Sequence, residues 1–244
     1  MIKKVLFIVS ALFLTTYLAF AVIFLNPKVN TEEKCDRLQI EVVHASGSSC
    51  LNEAQMKQFL QTAHLNPVGK NRSEIDLEAI EKTLKENKLI KKVEAYKAVD
   101  GTVRIKVYPR TPVLRVMAEK NYYLDEEGET MPVPAGSAAY IPLATGNISE
   151  AYARNQLYAF VLFLQKNKFW DSQITQINVL PDRDIELITR VGDHRILLGK
   201  IEDHEENLDK LKLFYEKGLN KTGWNRYSVI NLKYKNQIVC TKRE

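Results

Sequence analysis

The residue types that most often carry chemistry are scattered through this chain of 244 residues. Its four histidines are His44, His64, His194 and His204, and no two of them are four residues apart, as they are in a helical zinc site. His194 is predicted to lie in a hairpin turn and His204 in the first turn of a helix, where both would be solvated. The sequence therefore indicates no metal site and no cofactor.

Two short segments resemble reactive sites only superficially. Ser48-Ser49-Cys50 lies near His44, but no third group is placed to orient a base, so a nucleophile is not supported. The acidic stretch 125–129 (DEEGE) lacks the alternating oxygen ligands of a calcium loop and is interpreted as a hairpin turn. The motifs of nucleotide-binding loops and of serine hydrolases are absent from the sequence. The chain is expected to bind proteins, with no catalytic residue and no small-molecule substrate.

Charge and composition narrow the class of partner. The net charge is +5, and no run of Lys and Arg exceeds two residues. A nucleic-acid-binding protein usually concentrates its basic residues on one stripe. Because basic and acidic residues alternate in this sequence, solvated surfaces are the better interpretation, and no nucleic-acid partner is expected.

Three cysteines are present, without the spacing of a zinc site. Cys35 and Cys50 flank one predicted strand, so a disulfide between them is possible, subject to the separation of their Cα atoms. Cys240 is interpreted as a small residue in a strand.

An uncharged apolar segment runs from Val5 to Leu25. As a helix it would be roughly 30 Å long, the thickness of the hydrocarbon core of a bilayer. It is predicted to be an uncleaved anchor, with residues 1–4 as a cytoplasmic tail and the bulk of the chain outside. A cleaved signal peptide is the alternative, because Ala19-Phe20-Ala21 matches the small-x-small pattern before a cleavage site.

After a linker at 26–37, residues 38–110 are predicted to form a β-α-α-β-β unit. Residues 38–43 (LQIEVV) alternate between apolar and polar side chains, as in a half-buried strand. Asn52 and Asp76 are expected to cap two amphipathic helices. A sheet with two helices on one face is sufficient for a domain.

After residue 87, apolar and polar side chains repeat with a period of two, as in β-strands. Strands at 92–99 and 102–108 flank Asp100-Gly101, a dipeptide suited to a type I′ hairpin turn. Residues 111–240 are predicted to form a mixed or antiparallel β-sheet domain with two flanking helices, followed by a tail at 241–244. Its expected strands are 113–117, 121–124, 174–179, 185–189, 195–198, 228–234 and 237–240, and its helices start near Ser149 and Asp203.

Three stretches resemble the bacterial cell-division family FtsQ/DivIB. Residues 90–113 (IKKVEAYKAVDGTVRIKVYPRTPV) are similar to the second half of the POTRA domain of that family, including its Arg-x-Pro element. Residues 122–128 (YYLDEEG) resemble the hairpin that opens its β domain. Residues 196–199 (ILLG), a helix, and then 229–236 (VINLKYKN) resemble its C-terminal end. The likeness covers nearly the whole chain, so the expected fold is α+β: one transmembrane helix, a POTRA-like domain and a β domain.

The resemblance implies a non-catalytic scaffold of the division machinery in the bacterial inner (cytoplasmic) membrane. The chain would cross it once, with a cytoplasmic N-terminus and a periplasmic bulk. The partners would be bitopic proteins of the FtsB and FtsL type, which pair with the free edge of the last strand. Tyr234 is the side chain expected to anchor the partner, and the alternative is that it packs inside the sheet. The residues expected to bind the partner are Lys233, Tyr234, Asn236, Gln237, Ile238, Val239 and Cys240.

Two other functions stay open at this point. A POTRA-bearing export or outer-membrane assembly factor would share the first domain, although such proteins normally continue into a membrane β-barrel. An exported hydrolase with an unrecognised site would require titratable groups with perturbed pKa values in a deep pocket.

Overall fold

The computed structural model describes residues 2–25, 33–43, 51–134 and 139–244. His44, Cys50 and most of the predicted linker lie outside the described residues. The strands are β1 (Arg37–Val42), β2 (Ile90–Lys97), β3 (Thr102–Pro109), β4 (Pro112–Met117), β5 (Asn121–Asp125), β6 (Thr130–Pro132), β7 (Leu143–Gly146), β8 (Ile174–Val179), β9 (Ile185–Thr189), β10 (Arg195–Gly199), β11 (Tyr227–Asn231) and β12 (Val239–Lys242). The helices are α1 (Ile2–Leu25), α2 (Glu53–Thr62), α3 (Leu77–Lys85), α4 (Glu150–Tyr152), α5 (Tyr158–Lys166), α6 (Lys168–Gln173), α7 (His204–Phe214) and α8 (Asn220–Thr222).

Helix α1 coincides with the apolar segment at the start of the chain, and its side chains are described for residues 10–21. Within the described part of the chain, no helix is both long enough and apolar enough to cross a membrane. The predicted anchor and its alternative, a cleaved signal peptide, both stay predictions.

Strands β1, β3 and β2 form a three-stranded sheet in that order, with β1 parallel and β2 antiparallel to β3. The predicted β-α-α-β-β order is confirmed. Asn52 and Gln55 form a capping box at the start of α2, and the side chain of Asp76 accepts from Ala79 N at the start of α3. Met56 and Ile80 contribute to a core between the helices and the sheet, whereas Phe59 is 37% exposed. We call this unit the three-stranded domain.

A nine-stranded mixed sheet forms the second unit, the nine-stranded domain. The strand order is β12-β11-β10-β9-β8-β7-β4-β5-β6. The pairs β10–β11, β7–β8 and β4–β7 are parallel, and the other five neighbouring pairs are antiparallel. Two helical regions pack on it. The first comprises α4, a π-helical stretch (Ala153–Leu157), α5 and α6; the second comprises a 3₁₀ turn (Ile201–Asp203), α7, a π-helical stretch (Tyr215–Leu219) and α8. Phe160, Leu164, Leu208 and Leu211 from these helices join the strand side chains in one core.

Several details differ from the sequence-based predictions. Strands β6 and β7 and helix α6 were not predicted, because they have only three, four and six residues and show no clear periodic pattern. Asp203 occupies the N-cap position of α7 but makes no capping hydrogen bond. The last two strands are also placed differently. Strand β11 ends at Asn231, and β12 extends to Lys242, into the residues predicted to be a tail.

The two domains meet at a pair of motifs from the sequence. Arg110, in the Arg-x-Pro element, donates to the carboxylate of Asp125, which opens the acidic turn, at 2.5 Å. The side chain of Asp125 is 1% exposed and also accepts from the backbone N–H groups of Glu127 and Glu129. Glu126 N donates to Thr111 O, and Lys91 from β2 forms ion pairs with Glu126 and Glu127. The acidic turn is thus the contact surface of one domain for the other.

The prediction of a solvated His194 is wrong. Its side chain is buried, with Nε2 at 2.8 Å from Tyr215 Oη and Nδ1 at 3.0 Å from Gly192 O. Phe169, Trp170 and Trp224 surround Tyr215. Burial lowers the pKa of His194, an effect that exceeds the opposing hydrogen bonds to backbone groups. The folded state therefore favours the neutral imidazole.

We predict that Arg110→Met lowers the free energy of unfolding by about 2 kcal/mol, because the buried Asp125 carboxylate loses its charged partner. Urea denaturation of the full chain in detergent measures the change. Arg104→Met removes an ion pair with the exposed Asp100 and should have little effect. Equal losses in the two variants would contradict a special role of the junction.

We also predict that acid weakens the nine-stranded domain through His194. Because the folded-state pKa is depressed, the stabilisation is complete above the unfolded-state pKa of about 6.5 and declines as the pH falls below it. Urea titrations at pH 7.5 and 5.5, followed by the emission of Trp170 and Trp224, measure the decline. His194→Gln should flatten it, and His204→Gln should retain it.

Candidate functional site

The C-terminal strand β12 forms one edge of the nine-stranded sheet. It pairs antiparallel with β11, with Asn231 opposite Val239 and Ile230 opposite Cys240. Among the described residues no strand lies on its other side. An edge of this kind carries a row of unpaired backbone groups, the feature that accepts an additional strand.

The pattern of backbone hydrogen bonds shows which N–H groups of β12 face away from β11. Leu232 N donates to Leu197 O, beside β10, and Arg243 N donates to Arg226 O at the end of β11. Since successive residues of an antiparallel pair alternate their bonding direction, Val239 and Thr241 bond to β11. The N–H groups of Cys240 and Lys242 therefore point away from the sheet, toward the free edge.

A seven-residue connection, 232–238, joins β11 to β12. Leu232 is fully buried, and the Asn231 side chain accepts from Lys233 N at 3.0 Å, which turns the chain outward. Asn236 has a φ of +61°, a left-handed conformation that Asn tolerates. Tyr234 is 49% exposed, so the alternative that it packs inside the sheet is wrong.

A buried carboxylate fixes the start of this connection. Asp184, in the turn between β8 and β9, accepts from Lys200 Nζ at 2.8 Å and from Lys233 Nζ at 2.6 Å. The hydrogen bond from Lys200, followed by that from Lys233, lowers the pKa of Asp184. The same contact raises the pKa of Lys233. The ammonium group of Lys233 thus orients the backbone from which Tyr234 projects.

A groove of about 580 Å³ lies between helix α7 and the connection to β12. Its floor is apolar, and Leu213 is 51% exposed within it. Lys210 crosses one end, with Nζ 3.4 Å from the carbonyl oxygens of Leu232 and Tyr234. The residues that line the groove are Glu206, Lys210, Leu213, Phe214, Lys217, Gly218, Asn236, Gln237 and Ile238.

The structure places the seven predicted binding residues in one region but not on one strand. Val239 and Cys240 belong to β12, whereas Asn236, Gln237 and Ile238 lie in the connection and line the groove. Lys233 is largely committed to Asp184. The helix side of the groove was missed in the sequence. Leu213 follows Leu211 by two positions and so cannot share its helix face, a signal that could have indicated a second apolar surface.

The predicted disulfide stays a prediction. Cys35 is buried as a free thiol, and its Sγ donates to Arg37 O at 3.3 Å. Cys50 lies outside the described residues. In the part of the chain that the structure describes, no group of three or more His, Cys, Asp or Glu side chains is arranged to hold a metal ion.

The two sheets and the exposed edge define a class of protein, in which a POTRA-like domain precedes a β domain with an accessible last strand. Residues 33–108 match the POTRA-like domain family, and residues 111–241 match the family described as FtsQ/DivIB, C-terminal related. The chain belongs to the FtsQ/DivIB family, and the resemblance noted in the sequence is confirmed.

A curated relative supports the same assignment. The cell division protein FtsQ of Myxococcus fulvus is 32% identical over 117 residues. The alignment covers 48% of this chain and 40% of the relative, so the chain aligns with less than half of that protein.

We predict that Lys233→Met loosens the connection before β12, because Asp184 keeps only Lys200 as a charged partner. Hydrogen exchange of the amides from Tyr234 to Ile238 should accelerate roughly 3- to 5-fold, the scale of an ion pair with one exposed member. Lys235→Met, a neighbouring exposed lysine, is the control and should leave exchange unchanged. Equal exchange in the two variants would show that the ion pair does not order this segment.

Proposed function

We propose that this protein is a non-catalytic, membrane-anchored scaffold of the bacterial division machinery, and that bitopic proteins of the FtsB and FtsL type are its partners. Its β12 edge is their binding site. The observation that carries the proposal is this free edge, together with the exposed side chains of Val239, which begins β12, and of Tyr234 in the connection before it. Membership of the FtsQ/DivIB family supports the biological setting.

In this proposal a partner segment adds to the sheet as a further strand beside β12. The outward N–H groups of Cys240 and Lys242 donate to its carbonyl oxygens, and the alternate carbonyls of β12 accept from it. Such main-chain bonds supply affinity without requiring a particular sequence. Tyr234, exposed in the connection before β12, supplies the partner with apolar contact area around a hydroxyl group.

Specificity comes from the groove beside the edge. The exposed Leu213, together with Phe214 and Ile238, is suited to an apolar anchor side chain of the partner. Lys210 and Lys217 flank the groove, so an acidic residue near that anchor would meet basic side chains. A partner segment that consists of a helix followed by a short strand would fill the groove with its helix and pair with β12 through its strand.

The N-terminal helix supports the membrane anchor. Its described side chains include six large apolar residues that are 54–76% exposed in the isolated chain: Leu12, Phe13, Leu14, Tyr17, Leu18 and Phe20. A helix that exposes apolar side chains on all sides requires a covering environment, and a bilayer supplies one. Lys3 and Lys4 precede the apolar segment and are suited to the cytoplasmic side.

The proposed edge is tested by copurification of the full chain with its partners from detergent-solubilised native membranes. Lys242→Pro removes an outward N–H donor and should reduce recovery of bitopic coiled-coil partners about 10-fold or more, whereas Lys242→Ala keeps the donor and should retain it. Tyr234→Ala should also reduce recovery, by a loss of about 1–2 kcal/mol. Thermal unfolding of each variant controls for folding.

Two results would contradict the proposal. Undiminished recovery with Lys242→Pro would move the interface away from β12. Normal septation in cells that lack the protein, with no related copy in the genome, would exclude a role in division.

A further inference from the structure

The topology of the three-stranded domain shows which of its ends faces the N-terminal helix. Strand β1 is parallel to β3, with Arg37 opposite Thr102, so the chain enters the domain beside the turn between β2 and β3. Asp36 N donates to Gly101 O at 3.1 Å, and Cys35 N donates to Lys70 O at 2.9 Å. Three segments therefore meet at this end. We call residues 33–36, 66–72 and 98–101 the proximal end.

Chain length holds the proximal end near the helix. Seven residues, 26–32, separate Leu25 from Glu33. Because an extended chain advances at most about 3.3–3.6 Å per residue, the two cannot be more than roughly 30 Å apart. Strand β3 leads from the proximal end toward Arg110 and the nine-stranded domain. The proximal end is consequently the part of the three-stranded domain that this short tether holds near a bilayer containing α1.

The surface of the proximal end includes two exposed valines, with an exposed tyrosine beside it. Val99, next to the turn glycine, is 98% exposed, Val68 is 47% exposed and Tyr96 is 41% exposed. In the described residues between 33 and 110, the set of exposed large apolar side chains is these three and Phe59. Three of the four thus gather at or beside one end of the domain.

The charges at this end fit a membrane interface. Lys34 and Lys70 are exposed, and Lys70 Nζ donates to His64 O. Asp100 is engaged with Thr102 N and Arg104, so its carboxylate is partly neutralised, while Asp36 adds a negative charge. With Glu33 and Arg72 included, this end carries three basic and three acidic residues, so apolar contact and not electrostatic attraction governs binding. Exposed Tyr, Lys and apolar side chains together are typical of protein surfaces at the headgroup region.

We propose that the proximal end of the three-stranded domain rests on the outer surface of the membrane, with Val99 and Val68 inserted among the lipid headgroups and Tyr96 at their margin. This inference rests on the proposed membrane anchor and extends it. The anchor keeps the local concentration of this surface near the bilayer high, so two small apolar insertions are sufficient for contact. The contact fixes the direction in which the domain stands on the membrane.

The test uses the full chain reconstituted in vesicles of phosphatidylethanolamine and phosphatidylglycerol, with and without brominated acyl chains. Val99→Trp places a fluorophore at the proximal end, and Val191→Trp places one at an exposed turn of the nine-stranded domain. Subtraction of the wild-type emission removes the signals of Trp170 and Trp224. Flotation of the vesicles shows separately whether the chain is anchored.

Brominated lipid should quench the added emission of Val99→Trp by about half, and that of Val191→Trp by less than about a tenth, because only the first lies at the bilayer surface. Adding Val68→Asp and Tyr96→Asp to Val99→Trp should abolish most of the quenching. Equal quenching at both positions, or quenching that survives the two aspartates, would overturn the proposal while leaving the anchor intact if the chain floats. Failure to float would overturn the anchor and this contact together.

Discussion

The pairing of Arg110 with Asp125 is the constraint on which the arrangement of this protein depends. Asp125 is almost fully enclosed, and its carboxylate holds both the guanidinium group and the backbone of its own turn. A charge in such a site is stable only while its partners are present. Because Arg110 follows the last strand of one domain and Asp125 ends the second strand of the other, the same interaction orders the acidic turn and joins the two sheets. The Arg-x-Pro and Asp-x-x-Gly elements, separated by one hairpin in the sequence, are therefore two halves of one contact.

A second carboxylate has a comparable role within the nine-stranded domain. Through two lysines, Asp184 ties the turn before β9 to the residue that follows β10 and to the connection before β12. It thereby orders the approach to the edge strand without covering the edge. Strand β12 has one neighbouring strand in the sheet, whereas each interior strand has two. Fewer interstrand hydrogen bonds therefore stabilise the edge that is proposed to bind.

The sequence predicted elements with strong local signals and missed those defined by tertiary contacts. Asn52, Asp76 and Ser149 were recognisable as helix caps because capping depends on a few adjacent residues. Strand β7 lies between two parallel neighbours and has only four residues, too few for a pattern. The burial of His194 depends on aromatic residues that lie about 20 to 30 positions away in the chain. At the proposed binding edge, family resemblance suggested the C-terminal residues, but the helix side of the groove could be recognised only from the fold.

The parallel pairing of β1 with β3 has a mechanical consequence. Tension between the N-terminal helix and the nine-stranded domain would pull on the start of β1 and on the end of β3, in opposite directions along neighbouring strands. The load would act in shear on all six register pairs at once, instead of opening them one after another like a zipper. Forced unfolding is governed by the rate of unfolding and not by the equilibrium free energy. This topology therefore suits the three-stranded domain to carry force along the chain.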